Sequence, residues 1–187
     1  MRLFTAIALG KAEQHAIQRE QARLARSLGN PTHLRLLRPD QFHVTLVFIG
    51  EVDSERARAI TEAMKTPLAC PPFRIAFGGA GFFPERGAPR VLWLGLHTGR
   101  GDTVALQHQV AQRLASVGVP LEARPFDPHV TLGRWKESRS ADRKGVSPGR
   151  AGIAGAEVRD VTLFESRMSS KGSTYTAIAQ SPLTVPA

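Results

Sequence analysis

Two rhythms of apolar and polar positions divide the chain. Met1–Leu9 is a near-continuous apolar run and predicts a strand. Lys11–Leu28 switches to helical spacing: Ile17, Leu24 and Leu28 share a face, with Ala16 and Ala25 beside them, and Gly29-Asn30-Pro31 stops the helix. Gln41–Ile49 is β-branched and apolar between Pro39-Asp40 and Gly50, so it predicts a second strand. Asp53 or Ser54 caps a helix running to about Lys65, with acidic residues in its first turn. Phe73–Phe77 and Val91–Leu96 predict strands on either side of a Gly- and Pro-rich loop, Gly78–Pro89. A third helix opens at Asp102 or Thr103 and places Leu106, Val110, Leu114 and Val117 on one face before Gly118 and Pro120 end it. Pro128–Gly133 predicts another strand, and Lys136–Arg150 a basic, turn-rich surface loop. Val158–Glu165 and Thr174–Gln180 predict a closing hairpin around a loop at Ser166–Ser173. Helices alternate with strands, but the late strands are joined by short turns, so the expected class is α+β with mainly antiparallel sheet. With 187 residues and no linker-like segment, residues 1–187 are expected to form a single domain.

Composition narrows the function classes. Charged residues are 22% and hydrophobic ones 42%, which is globular rather than disordered. No run reaches the ~20 apolar residues of a membrane span, and the first residues read as a strand rather than a signal peptide. The single cysteine, Cys70, excludes an intramolecular disulfide and a Cys-rich zinc site, and a cytoplasmic location is the simple expectation. Lys and Arg number 25 against 16 Asp and Glu, a net charge of +9. That balance suits nucleic acid, a nucleotide or another anionic partner, and equally an Arg-rich protein with no such partner.

One internal repeat changes the picture. His43-Val44-Thr45-Leu46 recurs as His129-Val130-Thr131-Leu132, each copy inside a predicted strand. Chance predicts about 0.005 such matches at ordinary residue frequencies. In a strand, residues i and i+2 share a face. His43 and Thr45 therefore stand side by side over a core of Val44 and Leu46, and His129 and Thr131 do the same over Val130 and Leu132. If the strands meet, two imidazoles and two hydroxyls converge. That set suits a phosphodiester: one histidine activates the attacking oxygen, the other protonates the leaving oxygen, and the threonines donate to phosphoryl oxygens. No HExxH and no carboxylate cluster accompanies these histidines, so no metal is called for.

With these flanks the sequence resembles the two-histidine (2H) phosphoesterase superfamily, in its RNA 2′,3′-cyclic phosphodiesterase branch, also called 2′-5′ RNA ligase. The resemblance runs from Arg2–Ile7 through Phe42–Glu51 and Arg124–Arg134 to Leu163–Ser169 and Tyr175-Thr176. It implies a bilobal, pseudo-twofold α+β fold, with two mainly antiparallel sheets lining a central cleft and helices outside. It implies hydrolysis of RNA 2′,3′-cyclic phosphate ends to a 2′-phosphate without metal or nucleotide cofactor, and reversible 2′-5′ joining in vitro. By the same resemblance His43 and His129 are catalytic, Thr45 and Thr131 bind phosphate, and Arg134 contacts phosphate too. Strict alternation, however, puts Arg134 on the face opposite His129 unless Gly133 bends the strand. The implied partner is RNA ending in a cyclic phosphate, with no obligate protein partner and a monomeric chain. Another nucleotide or a 2′-5′ oligonucleotide as substrate, and RNA binding without turnover, are the alternatives. The repeat's symmetry leaves the acid and base roles open; the resemblance favours His43 as acid and His129 as base.

The other histidines lack the pattern: His97-Thr98 would point to opposite faces, His108 falls on the polar side of its helix, and His15 and His33 have no partner. Gly78–Gly81 lacks the Lys and Ser/Thr of a phosphate-binding loop. Phe82, Phe83 and Arg86 could stack on or steer a base, although packing is the simpler reading.

Overall fold

Alternating burial in the two HVTL segments sets the centre of the molecule. Val44, Val130 and Leu132 are fully buried and Leu46 nearly so, while His43, Thr45, His129 and Thr131 are half-buried on the opposite face. The computed structural model describes residues 1–120, 122–143, 151–169 and 172–185. Its elements are β1 (Arg2–Ala8), α1 (Lys11–Ser27), β2 (Leu34–Leu36), β3 (His43–Glu51), α2 (Ser54–Ala63), β4 (Leu68–Ala69), β5 (Phe73–Phe83), β6 (Val91–Thr98), α3 (Arg100–Ala115), β7 (His129–Trp135), β8 (Ala154–Val158), β9 (Asp160–Ser169) and β10 (Gly172–Thr184).

The α+β class holds, but the strands are hydrogen-bonded into one network rather than two separate sheets. The order is β4-β10-β9-β1-β3-β7-β6-β5-β8, with β2 on the edge of β7. All described pairings are antiparallel except β4–β10. The two halves join at β3–β7 through one registered pair, Val44 opposite Val130. The helices cover the face that the histidines avoid: Ile17 and Leu24 of α1, Ile60 of α2, and Leu106, Val110 and Leu114 of α3 share a core with Val44, Leu46, Val130 and Leu132.

Helix ends follow local chemistry. The Asp53 carboxylate accepts from the Arg56 amide at 2.8 Å and caps α2 as expected. The third helix starts earlier than Asp102, at Arg100, because Gly99 makes the turn with φ +75°, and a Cβ there would meet Arg74 O at 2.3 Å. The Gly-rich stretch is only half loop: β5 continues to Phe83, with a register shift between Phe77 and Ala80 absorbing the glycines. The closing hairpin is longer than predicted, so Ser166–Met168 lie in β9 rather than in a loop. Of the basic loop predicted over Lys136–Arg150, residues 144–150 lie outside the described residues, and Ser140–Arg143 form a short 3-10 turn. β2, β4 and β8 have no counterpart in the predicted elements; at two to five residues they are too short for periodicity to mark. Among the described residues no helix is long and apolar enough to cross a membrane.

Candidate active site

The pair Val44–Val130 defines a local dyad. Rotation about it carries β3 onto β7 and superposes residue 43 on 129, 45 on 131 and 46 on 132, which is the register of the sequence repeat. Across the same pair, His43 stands opposite Thr131 and Thr45 opposite His129. The two histidines are diagonal neighbours on one face, a separation of about 7–8 Å in ideal strand geometry.

The rings are oriented alike. His43 Nδ1 lies 2.8 Å from Gln41 O, and His129 Nδ1 lies 2.7 Å from Asp127 O. A carbonyl oxygen only accepts, so Nδ1 carries the hydrogen in both, and the lone pair of each neutral ring sits on Nε2. Both rings are set among aromatics. His43 packs against Phe4 at 4.9 Å between centroids and against Tyr175 at 5.2 Å. His129 packs edge-on to Phe83 at 5.0 Å, with Trp93 at 6.2 Å. Burial accordingly pushes the His43 pKa down to about 4, with the charges of His129 and Arg134 adding to the effect and the Gln41 carbonyl opposing it. Burial lowers the His129 pKa as well, opposed by the Asp127 carbonyl and carboxylate. No carboxylate offers His43 a similar counterweight among the causes of its shift.

A cleft of about 450 Å³ opens on this face, lined by His43, Thr45, Thr131 and Arg134 together with residues of β1, β2, β9 and β10. His129 is not part of that lining; it stands beside it, against Phe83 and Trp93. Arg134 reaches the cleft because β7 breaks its alternation. Trp93 of β6 pairs with Thr131 and Leu92 pairs with Gly133, leaving Leu132 as an extra residue. The burial pattern shifts by one there, so Arg134 is exposed on the histidine side instead of facing the core. Gly133 permits the bulge to pack under β2, since a Cβ would meet Leu34 Cδ1 at 2.8 Å. The bulged carbonyl is held from below: Gln21 of α1, itself buried, donates from Nε2 to Leu132 O at 2.7 Å and to Leu37 O at 2.8 Å.

The dyad repeats the device. In β3 the register with β1 jumps from Thr5–Val47 to Ala6–Thr45, making Leu46 the extra residue, and Thr5 Oγ1 accepts from the Val47 amide at 3.2 Å. The dyad-equivalent of Arg134 is therefore Phe48. It is 54% exposed and lines the same cleft, with the Arg2 guanidinium 5.1 Å from its ring centroid. Phe48 was missed as a site residue, although extending the repeat by two positions in each copy, to HVTLVF and HVTLGR, marks it. Phe83 walls His129, Phe82 packs on Trp135 at 5.8 Å, and Arg86 is exposed, so packing is the right reading for the two phenylalanines. His15, His33, His97 and His108 are all exposed and away from the cleft lining. Among the described residues no three of His, Cys, Asp and Glu are grouped to hold a metal ion.

The profile of the 2′-5′ RNA ligase superfamily matches residues 12–145. The chain belongs to that superfamily. An RNA 2′,3′-cyclic phosphodiesterase of Archaeoglobus fulgidus is 31% identical over 94% of this chain and 96% of its own. One from Aeropyrum pernix is 32% identical over 82% and 90%. Among solved structures, E. coli LigT complexed with 3′-AMP superposes with a TM-score of 0.80 at 27% identity, covering 98% of both chains. A Thermus thermophilus protein superposes over the whole of both chains with a TM-score of 0.79 at 25% identity.

Proposed function

We propose that this protein opens RNA 2′,3′-cyclic phosphate ends to 2′-phosphates by acid–base catalysis between His43 and His129, without a metal. The observation that carries this is the dyad: it sets two imidazoles diagonally across one strand pair, each with Nδ1 tied to a carbonyl and Nε2 left for chemistry. Superfamily membership supports the substrate class.

In the forward reaction His129 Nε2 takes a proton from water as its oxygen bonds to phosphorus. The P–O3′ bond breaks, and O3′ takes the proton from His43 Nε2. Thr45, Thr131 and Arg134 hold the non-bridging oxygens, whose charge grows in the transition state. The carbonyl bonds at Nδ1 keep the rings aimed and stabilise whichever one is charged. With the 5′ hydroxyl of a second RNA in place of water as the attacking oxygen, His129 takes its proton, the P–O3′ bond breaks with the proton from His43, and the same groups join the ends through a 2′-5′ linkage. Phe48 at the mouth of the cleft offers a face on which the terminal base stacks.

Both rings favour the neutral form in the free protein, so the acid acquires its proton together with the anionic substrate. At rest Asp127 favours a charge on His129, which is the opposite order to the roles above; the bound phosphodiester resets it. The test is turnover of a dinucleotide 2′,3′-cyclic phosphate in EDTA. A 2′-phosphate product is expected, with a loss of at least ~10² in rate for His43→Ala and for His129→Ala. Unchanged rates in both variants, or activity that EDTA abolishes, would overturn the mechanism.

A further inference from the structure

A second arginine lines the cleft beside Arg134. Arg35 of β2 sits directly opposite Arg134 in the β2–β7 pairing, and both line the cleft. The lining also includes Arg2 and His43 and, among the described residues, no Asp or Glu. Such an arrangement is suited to an anion with charge at more than one place.

The topology gives those places an order. β3 meets the edge of β7 at Val130, and β2 takes over the same edge at Gly133–Trp135. Moving along β7 from the catalytic pair, the cleft therefore passes from the two HxT motifs to the Arg134–Arg35 row. Beyond it the guanidinium of Arg35 lies against the backbone of Gly172, where a Cβ would come within 2.6 Å of Nη2. Gly172 and Ser173 continue the wall. Arg134 thus stands between the HxT motifs and a position one strand further out, and Arg35 stands at that outer position.

We infer that Arg35 binds a second phosphate of the substrate, the one on the 5′ oxygen of the terminal ribose. This rests on the cyclic phosphodiesterase reading and sharpens it: the preferred substrate carries a charged phosphate 5′ to the cyclic end, and a bare nucleoside cyclic phosphate is a poor substitute. The charge comes from an internucleotide diester or from a terminal 5′-phosphate, and the substrates below separate the two.

The experiment compares kcat/KM for four substrates: a nucleoside 2′,3′-cyclic phosphate, its 5′-phosphorylated form, a dinucleotide cyclic phosphate, and the same dinucleotide with an uncharged methylphosphonate linkage. The native protein is expected to favour the charged dinucleotide about tenfold over the methylphosphonate, the scale of one charge-assisted phosphate contact. In R35Q that ratio collapses towards one. The slope of log kcat/KM against log salt for the charged dinucleotide is expected to flatten by about 0.7, the share of one phosphate contact on a single strand. A 5′-phosphorylated mononucleotide as good as the dinucleotide marks a monoester site; one as poor as the bare nucleoside marks the diester. Native protein indifferent to the methylphosphonate overturns the inference. So does R35Q slowing all four substrates equally, because Arg35 then serves the reacting phosphate or the fold. If no cyclic phosphate is turned over, the phosphodiesterase reading fails by itself. The inference is then decided by the affinity of an oligoribonucleotide ending in a 2′-phosphate, and equal binding to native and R35Q protein overturns it.

Discussion

Acidification probes the burial of His43. Its ring is packed by Phe4, Tyr175 and Phe164, and that burial holds the pKa at about 4 against an ordinary value of 6.5. Because the folded value is the lower one, the unfolded chain binds the proton first as the pH falls. The contribution to stability is therefore whole above pH 6.5, is lost steadily between pH 6.5 and about 4, and changes no further below that. At about 1.4 kcal/mol per unit, the loss across the window is about 3 kcal/mol. The assay is urea unfolding of native protein and His43→Gln at pH 7, 6, 5 and 4, since glutamine fills a similar space and does not titrate. Native protein is expected to lose about 3 kcal/mol more than the variant between pH 7 and pH 4. His129 is common to both proteins and largely cancels. Parallel stability curves would refute the reasoning, because they would mean that the ring is as well solvated in the folded protein as in the unfolded one.

The same depression acts on turnover: kcat/KM, which reports the free protein, is expected to fall with rising pH from below 6.5, whereas the falling limb of kcat lies higher because a bound phosphate anion favours the imidazolium; coincident limbs would show that substrate does not supply the proton's stabilisation. A cyclic phosphate with an activated leaving group, which needs no proton, is expected to restore turnover in His43→Ala but not in His129→Ala, and the reverse pattern exchanges their roles. Gln21→Met removes two hydrogen bonds, one buried and one part-buried, but leaves Leu132 O bonded to the Leu37 amide, so about 1–3 kcal/mol of stability and roughly 5 °C in Tm are expected to go. The loss of kcat in that variant is expected to vanish in an Arg134→Ala background if Gln21 acts by aiming Arg134, and to persist if it does not. Phe48→Ala is expected to cost about tenfold in kcat/KM and Phe48→Trp to restore it, as a stacking platform requires; a base-free ribose cyclic phosphate should not distinguish the variants.

The α+β class, the long helices and the central strands were all legible because each rests on periodicity over a window of six or more residues. The short strands were not. Leu34–Leu36 forms because Gly133 lets it lie close to β7, a condition set almost a hundred residues away in the chain. The Gly78–Gly81 segment was misjudged for a related reason: glycines that weaken a strand in isolation are accommodated by a register shift and by Trp93, whose ring occupies the place of a Cβ on Gly81.

The site divides along the same line. Sequence alone determined which residues could do the chemistry, because the HVTL repeat fixes side-chain type and, through the two-residue period of a strand, places His and Thr on one face. It could not decide whether the two faces meet. That depends on the Val44–Val130 register, a long-range pairing with no local signature. Nor could it decide where Arg134 and Phe48 point. A bulge reverses every side chain beyond it, and the bulges at Leu132 and Leu46 exist because neighbouring strands, Gln21 and Thr5 satisfy the displaced backbone groups. Local sequence sets the alternation; only tertiary hydrogen bonding sets its phase.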